Sequence, residues 1–210
     1  MASSETKICN QALGIIGSLR INNLSDNTES SPQAIQCRLH YEPTRDALLR
    51  SHNWRFAVAR AVLSEDTTSP DFEYSNQFIL PTDFLALRSV WGGTFTGKKT
   101  AFSYAIEGQR LLTNDSSLSL KYTRKVTDAA QFDPLFIKVL AAQLADEFIG
   151  PLAGGDKRIQ DKIDRRLAVL LPRARVLSRT ETDTVGRADL GTWNNARASL
   201  GGRIDSQMGS

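Results

Sequence analysis

Cysteine is scarce in this chain of 210 residues: Cys9 and Cys37 are the only two. That excludes a disulfide framework and leaves either one bridge or, as the better reading, two buried thiols. Long apolar runs are missing, and none approaches the roughly 18 residues a membrane-spanning helix needs. The first residues, Met1-Ala2-Ser3-Ser4-Glu5, show no basic segment followed by an apolar core. No signal peptide is therefore expected, and the chain is expected to be made and kept in a cytoplasm. Histidine is limited to His40 and His52. Charge of one sign is not in large excess, because 26 basic residues face 23 acidic ones for a net +3. That balance permits contact with nucleic acid without requiring it. No repeat period is visible. What remains is 40% hydrophobic and 23% charged, an ordinary globular composition. The length suffices to bury roughly 70% of the surface exposed when unfolded.

Periodicity divides the chain. Ser3 or Ser4 caps a first helix, which Ile8, Ala12, Ile15 and Ile16 mark and Gly17 stops. Ser31-Pro32 opens a second helix that runs to about Ser51, with a kink expected at Pro43. Around Trp54 and Phe56 the chain is expected to turn extended and bury both rings. From Phe72 to about Val126 the pattern alternates, with Leu85, Leu87 and Val90, then Phe102, Tyr104 and Ile106, then Leu118, Leu120 and Tyr122. Short antiparallel strands follow from it. Asp133-Pro134 starts a third helix, with a stop or kink at Gly150-Pro151. A fourth runs from about Asp156 to Ser178, kinked at Pro172. The reading is an α+β fold, mainly α: a helical bundle base (1–66 and 127–179) with an inserted small antiparallel β lobe (67–126). An extended C-terminal tail (180–210) completes it.

Catalytic chemistry finds no positive support. Gly92 to Thr100 nearly matches a phosphate-binding loop, but Lys99 stands where Ser or Thr must hold magnesium, and a strand pattern follows instead of a helix. A hairpin turn is the better reading, with Lys98 and Lys99 available to a partner. Cys37 and His40 share one helix at a spacing that suits a metal, yet too few further ligands exist. Acidic pairs such as Asp146-Glu147 and Asp161 with Asp164 read as solvated or salt-bridged helix faces. No enzyme activity, metal or cofactor is expected.

Arginine crowds the last third, at 165, 166, 173, 175, 179, 187, 197 and 203. A polar tail with isolated Leu190, Trp193, Leu200 and Ile204 cannot offset its ordering entropy alone. Such anchors suit folding on a partner, and Trp is a typical interface anchor.

Several pieces then appear in order. Tyr41-x-x-x-Arg45-x-x-Leu48-Leu49 leads into Trp54-x-Phe56-Ala57. Phe78-x-Leu80-Pro81-x-Asp83 is followed by Leu85 and Arg88. Tyr122-x-x-x-Val126-Thr127-Asp128 leads to Phe132-Asp133-x-x-Phe136 and Leu140-Ala141-x-x-Leu144-Ala145. Over about residues 5 to 175 this resembles the tail tubular protein A, or head-to-tail adaptor, family of short-tailed bacteriophages. The resemblance implies a structural virion protein, assembled in the host cytoplasm and forming a homo-oligomeric ring, usually of twelve. The ring would sit between the portal protein and the tail tube or nozzle, and double-stranded DNA would pass its lumen without sequence-specific binding. No membrane is involved. Arg187, Leu190, Trp193, Arg197, Leu200, Arg203 and Ile204 would dock on the portal. Phe95, Lys98 and Lys99 would meet the tail protein. Arg45, Trp54, Arg158, Arg165 and Arg166 would lie at the subunit interface. The alternative is a DNA-binding accessory protein that uses Arg165, Arg166, Arg173 and Arg175 against phosphate.

Overall fold

The computed structural model describes residues 4–92 and 103–180. The chain divides between Arg179 and Thr180, so the expected tail lies outside the described residues apart from Thr180. Among the described residues four helices and six strands make up an α+β fold.

Helix α1 (Glu5–Ile16) is capped by the Ser4 hydroxyl, which accepts from the Lys7 amide at 3.3 Å. Gly17 closes it at φ 76°, a left-handed conformation that glycine adopts without strain. Helix α2 (Pro32–Ser51) starts where Ser31 Oγ accepts from the Ala34 amide at 3.2 Å. Helix α3 (Pro134–Ala153) starts where Asp133 accepts from the amides of Leu135, at 2.7 Å, and Phe136, at 3.3 Å. Each such cap contributes about 1 kcal/mol. Helix α4 (Lys157–Thr180) follows after Gly154 and Gly155.

The prolines inside the helices do not end them. α2 continues through Pro43, α3 through Pro151 and α4 through Pro172. A helical proline leaves the carbonyl four residues earlier without its donor. Those carbonyls belong to Leu39, Glu147 and Ala168, all exposed residues, so each proline falls on a part of its helix where solvent can supply the missing donor. Gly150-Pro151, where a stop or kink was expected, does not stop α3; the helix ends at Gly154, whose amide donates to the Ile149 carbonyl.

Between α2 and α3 the chain forms two three-stranded antiparallel sheets. The first orders β1 (Val58–Val62), β6 (Leu118–Arg124) and β3 (Phe84–Gly92). The second orders β2 (Asn76–Ile79), β5 (Arg110–Thr113) and β4 (Tyr104–Glu107). Strand structure thus begins at Val58, earlier than the boundary at 67 read from the sequence. Residues Arg55–Ala57, expected to be extended, form a single 3-10 turn.

Two apolar cores result. The larger is helical, and α3 is its centre, with Phe136, Val139, Leu140, Leu144 and Phe148 buried among α1 and α2. Ile163 and Ala174 of α4 reach the same core. The smaller core lies between the sheets, where Phe78 and Leu111 meet Leu118, Leu120 and Tyr122.

Trp54 anchors the segment between α2 and β1 in the helical core. It is 1% exposed, and its indole N–H donates to the Leu48 carbonyl at 2.8 Å. Phe136 stands edge-on to it at 5.1 Å, and the His52 ring at 5.0 Å. Phe56 and Phe132 extend this aromatic cluster. Replacing Trp54 with alanine is expected to lower the unfolding free energy by about 4 kcal/mol. Trp54→Phe, which keeps most of the ring volume, should cost less. Urea unfolding of the three proteins measures both differences, and a Trp54→Ala loss below about 1 kcal/mol would contradict this packing role.

Candidate interaction surfaces

Five residues were expected at a subunit contact, and the structure separates them. Arg45 and Trp54 are each 1% exposed. Both are enclosed by their own chain and offer no surface to a neighbour. Arg45 lies over the Tyr41 ring at 5.7 Å, and its Nε donates to Asp46 at 2.8 Å. Glu5 and Glu42 approach its guanidinium only to 3.9 Å. At that loose distance burial dominates, and it pushes the Glu5 carboxyl above its ordinary value although Arg45 opposes the shift.

Arg158, Arg165 and Arg166 are exposed on α4. This helix is amphipathic. Ile163 and Ala174 are buried, and Ile159, Leu167, Leu170 and Leu171 pack partly against the base. On the opposite side Arg158, Lys162, Arg165, Val169, Arg173 and Val176 recur at intervals of three and four, with Arg166 beside them. All are exposed. Among the described residues none of these five cations pairs with a carboxylate. Of the acids on this helix, Asp164 accepts from Gln160 Nε2 at 3.2 Å, and the same amide donates to Asp146 of α3 at 2.5 Å; Asp161 is exposed among the cations. The α4 outer face is therefore a cationic stripe with two valines along its middle.

The expected tail-protein residues Phe95, Lys98 and Lys99 lie outside the described residues. So do the portal residues Arg187, Leu190, Trp193, Arg197, Leu200, Arg203 and Ile204.

Cys9 and Cys37 meet across α1 and α2 as free, fully buried thiols. Their hydrogen bond, with burial, pushes the Cys9 thiol far above its ordinary value. His40 turns away from this pair towards Glu147, 3.7 Å distant. Among the described residues no cluster of three or more His, Cys, Asp and Glu side chains could hold a metal ion. No helix there is long and apolar enough to cross a membrane.

Two features escape the linear sequence. Pairing of β1 with β6 sets Arg60 directly opposite Lys121 on the outer face of the first sheet. Burial holds the Lys121 amine below its ordinary value, and the nearby Arg60 and Arg55 cations add to the effect. Such juxtaposition depends on strand register, and these residues are 61 positions apart. The second feature is Phe72, 80% exposed at a loop tip between Asp71 and Glu73. A lone Phe between two acids carries no periodic signal.

A further cation group gathers at the end of α2. Arg88 donates to the His52 carbonyl at 2.6 Å and to Thr123 Oγ1 at 2.6 Å. Ser178 accepts from the Arg55 amide at 3.1 Å, which ties α4 to the same place. Burial, followed by the charges of Arg175, Arg179 and Arg88, holds the His52 imidazole below its ordinary value. The folded state thus favours neutral His52. Unfolded chain takes up the proton first, near about pH 6.5. Stability is then full above that pH and falls as pH drops through it towards the folded value. His52→Gln should narrow the difference between urea midpoints measured near about pH 7.5 and pH 5. An unchanged difference would show that His52 does not set it.

No protein-family model matches the chain, and no curated protein matches its sequence.

Proposed function

We propose that this chain is a head-to-tail adaptor subunit of a short-tailed bacteriophage. The observation that carries the proposal is the layout. A strand lobe is inserted between two helix pairs that share one core, and this is the order in which the resembling motifs occur. The division of the chain at Thr180 supports a separate role for the C-terminal segment.

In this reading the subunits form a ring, usually of twelve, in the virion neck. The helical base faces the portal and neighbouring copies, and the lobe faces the tail tube or nozzle. Residues 180–210 order on the portal through Arg187, Leu190, Trp193, Arg197, Leu200, Arg203 and Ile204, so their ordering entropy is offset only in the complex. Phe95, Lys98 and Lys99 meet the tail protein. Arg158, Arg165 and Arg166 serve the contact between subunits. The lumen passes double-stranded DNA. A net charge of +3 suits a conduit, because tight phosphate contacts would arrest a sliding genome.

Deleting residues 180–210 should abolish co-sedimentation with portal while leaving the helical circular-dichroism signal and melting curve of the body unchanged. Trp193→Ala should weaken docking. Full portal binding by the truncated chain would reject tail docking. Electron microscopy with and without portal tests the ring itself, and a compact monomer indifferent to portal would reject the adaptor reading.

The unpaired α4 stripe favours a second reading, in which the protein binds duplex DNA. It predicts low-salt binding with a log–log salt slope of about −4 to −5 if all five cations contact phosphate. The Arg158→Glu, Arg165→Glu, Arg166→Glu triple variant should lose that binding. A gel-shift without any low-salt complex would dismiss it.

A further inference from the structure

The β lobe carries two features that the adaptor reading does not use. They lie on opposite sides of it.

The first is a depression on the outer face of the first sheet. Arg60, Val62, Ser119, Lys121 and Trp91 line it, and its volume is about 490 Å³. Val62 is 78% exposed. Arg60 and Lys121 stand directly opposite each other in the ladder. Like charges so placed destabilise a sheet, and no acidic residue lines the depression among the described residues. An apolar floor and two uncompensated cations describe a socket for an apolar group flanked by carboxylates.

The second is a knob of that composition. Residues 64–75 form a loop with both ends tied down. At its start Asp66 accepts from Arg110 Nε at 2.7 Å and from Gln77 Nε2 at 3.3 Å. At its end the Ser75 amide donates to Asn114 at 2.9 Å. Between these ties Asp71, Phe72 and Glu73 are all exposed, with Phe72 at 80%. The Tyr74 amide donates to the Phe72 carbonyl at 2.9 Å, and Glu73 has φ 70°. This is a three-residue turn centred on a non-glycine residue with positive φ, a strained conformation. Among the described residues Glu73 is the only non-glycine with positive φ. Strain at a tip that presents a bare aromatic ring points to use of that tip.

Placement decides the occupant. The loop lies over Gln77, Arg110 and Leu112, on the side of the second sheet away from Phe78 and Leu111. The socket lies on the side of the first sheet away from Leu120 and Tyr122. Since Phe78, Leu111, Leu120 and Tyr122 form the core between the sheets, knob and socket face away from each other. A knob cannot fill the socket of its own chain, but it can fill that of the next.

We propose that Asp71-Phe72-Glu73 of one copy seats in the Arg60–Val62–Lys121 socket of a second copy of this chain. Phe72 covers Val62, and the two carboxylates meet the two cations. Different surfaces join at each contact, so the association is head-to-tail and extends until rotation closes it. The inference deepens the ring reading, and it rests on that reading for closure alone.

Charge exchange tests it on the full chain. Asp71→Lys with Glu73→Lys makes the knob basic, and Arg60→Glu with Lys121→Glu makes the socket acidic. In sedimentation velocity the wild type should self-associate. Each double variant alone should associate about 100-fold more weakly, with unchanged circular dichroism and melting. An equimolar mixture should regain assembly, because every knob then finds a socket of opposite charge. Recovery on mixing cannot arise from misfolding. A wild type that stays monomeric, variants that associate like wild type, or a mixture that stays monomeric would each overturn the proposal. Capture of a single-stranded oligonucleotide by a monomeric wild type, lost in the socket variant, would assign the socket to nucleic acid instead. Portal co-sedimentation of the wild type is scored separately. Portal binding with a failed exchange leaves the adaptor standing, and a successful exchange without portal binding leaves only the socket.

Discussion

Burial of α3 is the constraint on which the base depends. Phe136, Val139, Leu140, Ala141, Ala142, Leu144, Ala145, Phe148 and Ile149 are all nearly inaccessible, so this helix is apolar around most of its circumference. It requires neighbours on several sides. α1 and α2 cover much of it, and α4 adds Ile163 and Ala174 to the same core. The large side chains among these contribute about 2 kcal/mol each when buried. The loop between α1 and α2 is held accordingly. Asn10 pairs with both the amide and the carbonyl of Ile21, at 2.8 and 2.9 Å. Arg38 donates to the carbonyls of Asp26 and Glu29.

Basic residues fall into two populations that the net charge of +3 conceals. Arg38, Arg50, Arg55 and Arg88 donate to backbone carbonyls of their own chain. Their acceptors lie in the α1–α2 loop, in β3, at the end of α2 and in the last turn of α4, which a multivalent planar donor can tie together. Arg158, Lys162, Arg165, Arg166 and Arg173 have no such engagement in the described residues, nor do Arg60 and Lys121 an acidic partner. The first population belongs to folding. The second is where the chain's positive field reaches solvent, on α4 and on one face of the lobe.

Local signals carried the helical part of the fold. Ser31-Pro32, Asp133-Pro134 and Gly17 act within one turn, and the structure places helix ends at each. The interior prolines do not end their helices, because their cost depends on which side of the helix faces water, a tertiary property. β1 was missed since Val58-Ala59-Arg60-Ala61-Val62 has small alanines on its core side, and its pairing lies some sixty residues away. The resemblance implies a subunit contact for Arg45 and Trp54, but both are enclosed by their own chain. Their role proves internal, as an enclosed cation over Tyr41 and an indole tied to Leu48. The cation stripe was partly legible, because α4 is one continuous helix and its periodicity sorts Arg158, Arg165 and Arg166 to one side. The Arg60–Lys121 pair and the Phe72 tip were not, as register and turn geometry create them.

The chain enters the lobe through β1 and leaves it through β6, and these two strands pair with each other from Val58–Thr123 to Val62–Ser119. The lobe therefore hangs on a two-stranded ribbon. Arg50 and Arg88 brace it, donating from α2 to Leu85 and from β3 to the carbonyls of Arg50 and His52. A load applied to the lobe is shared by two covalent strands and arrives at the last turn of α2 and at the segment before α3. α1 stands outside that line of force. The orientation of the lobe on the base is thus set at these two places, the end of α2 and the segment before α3.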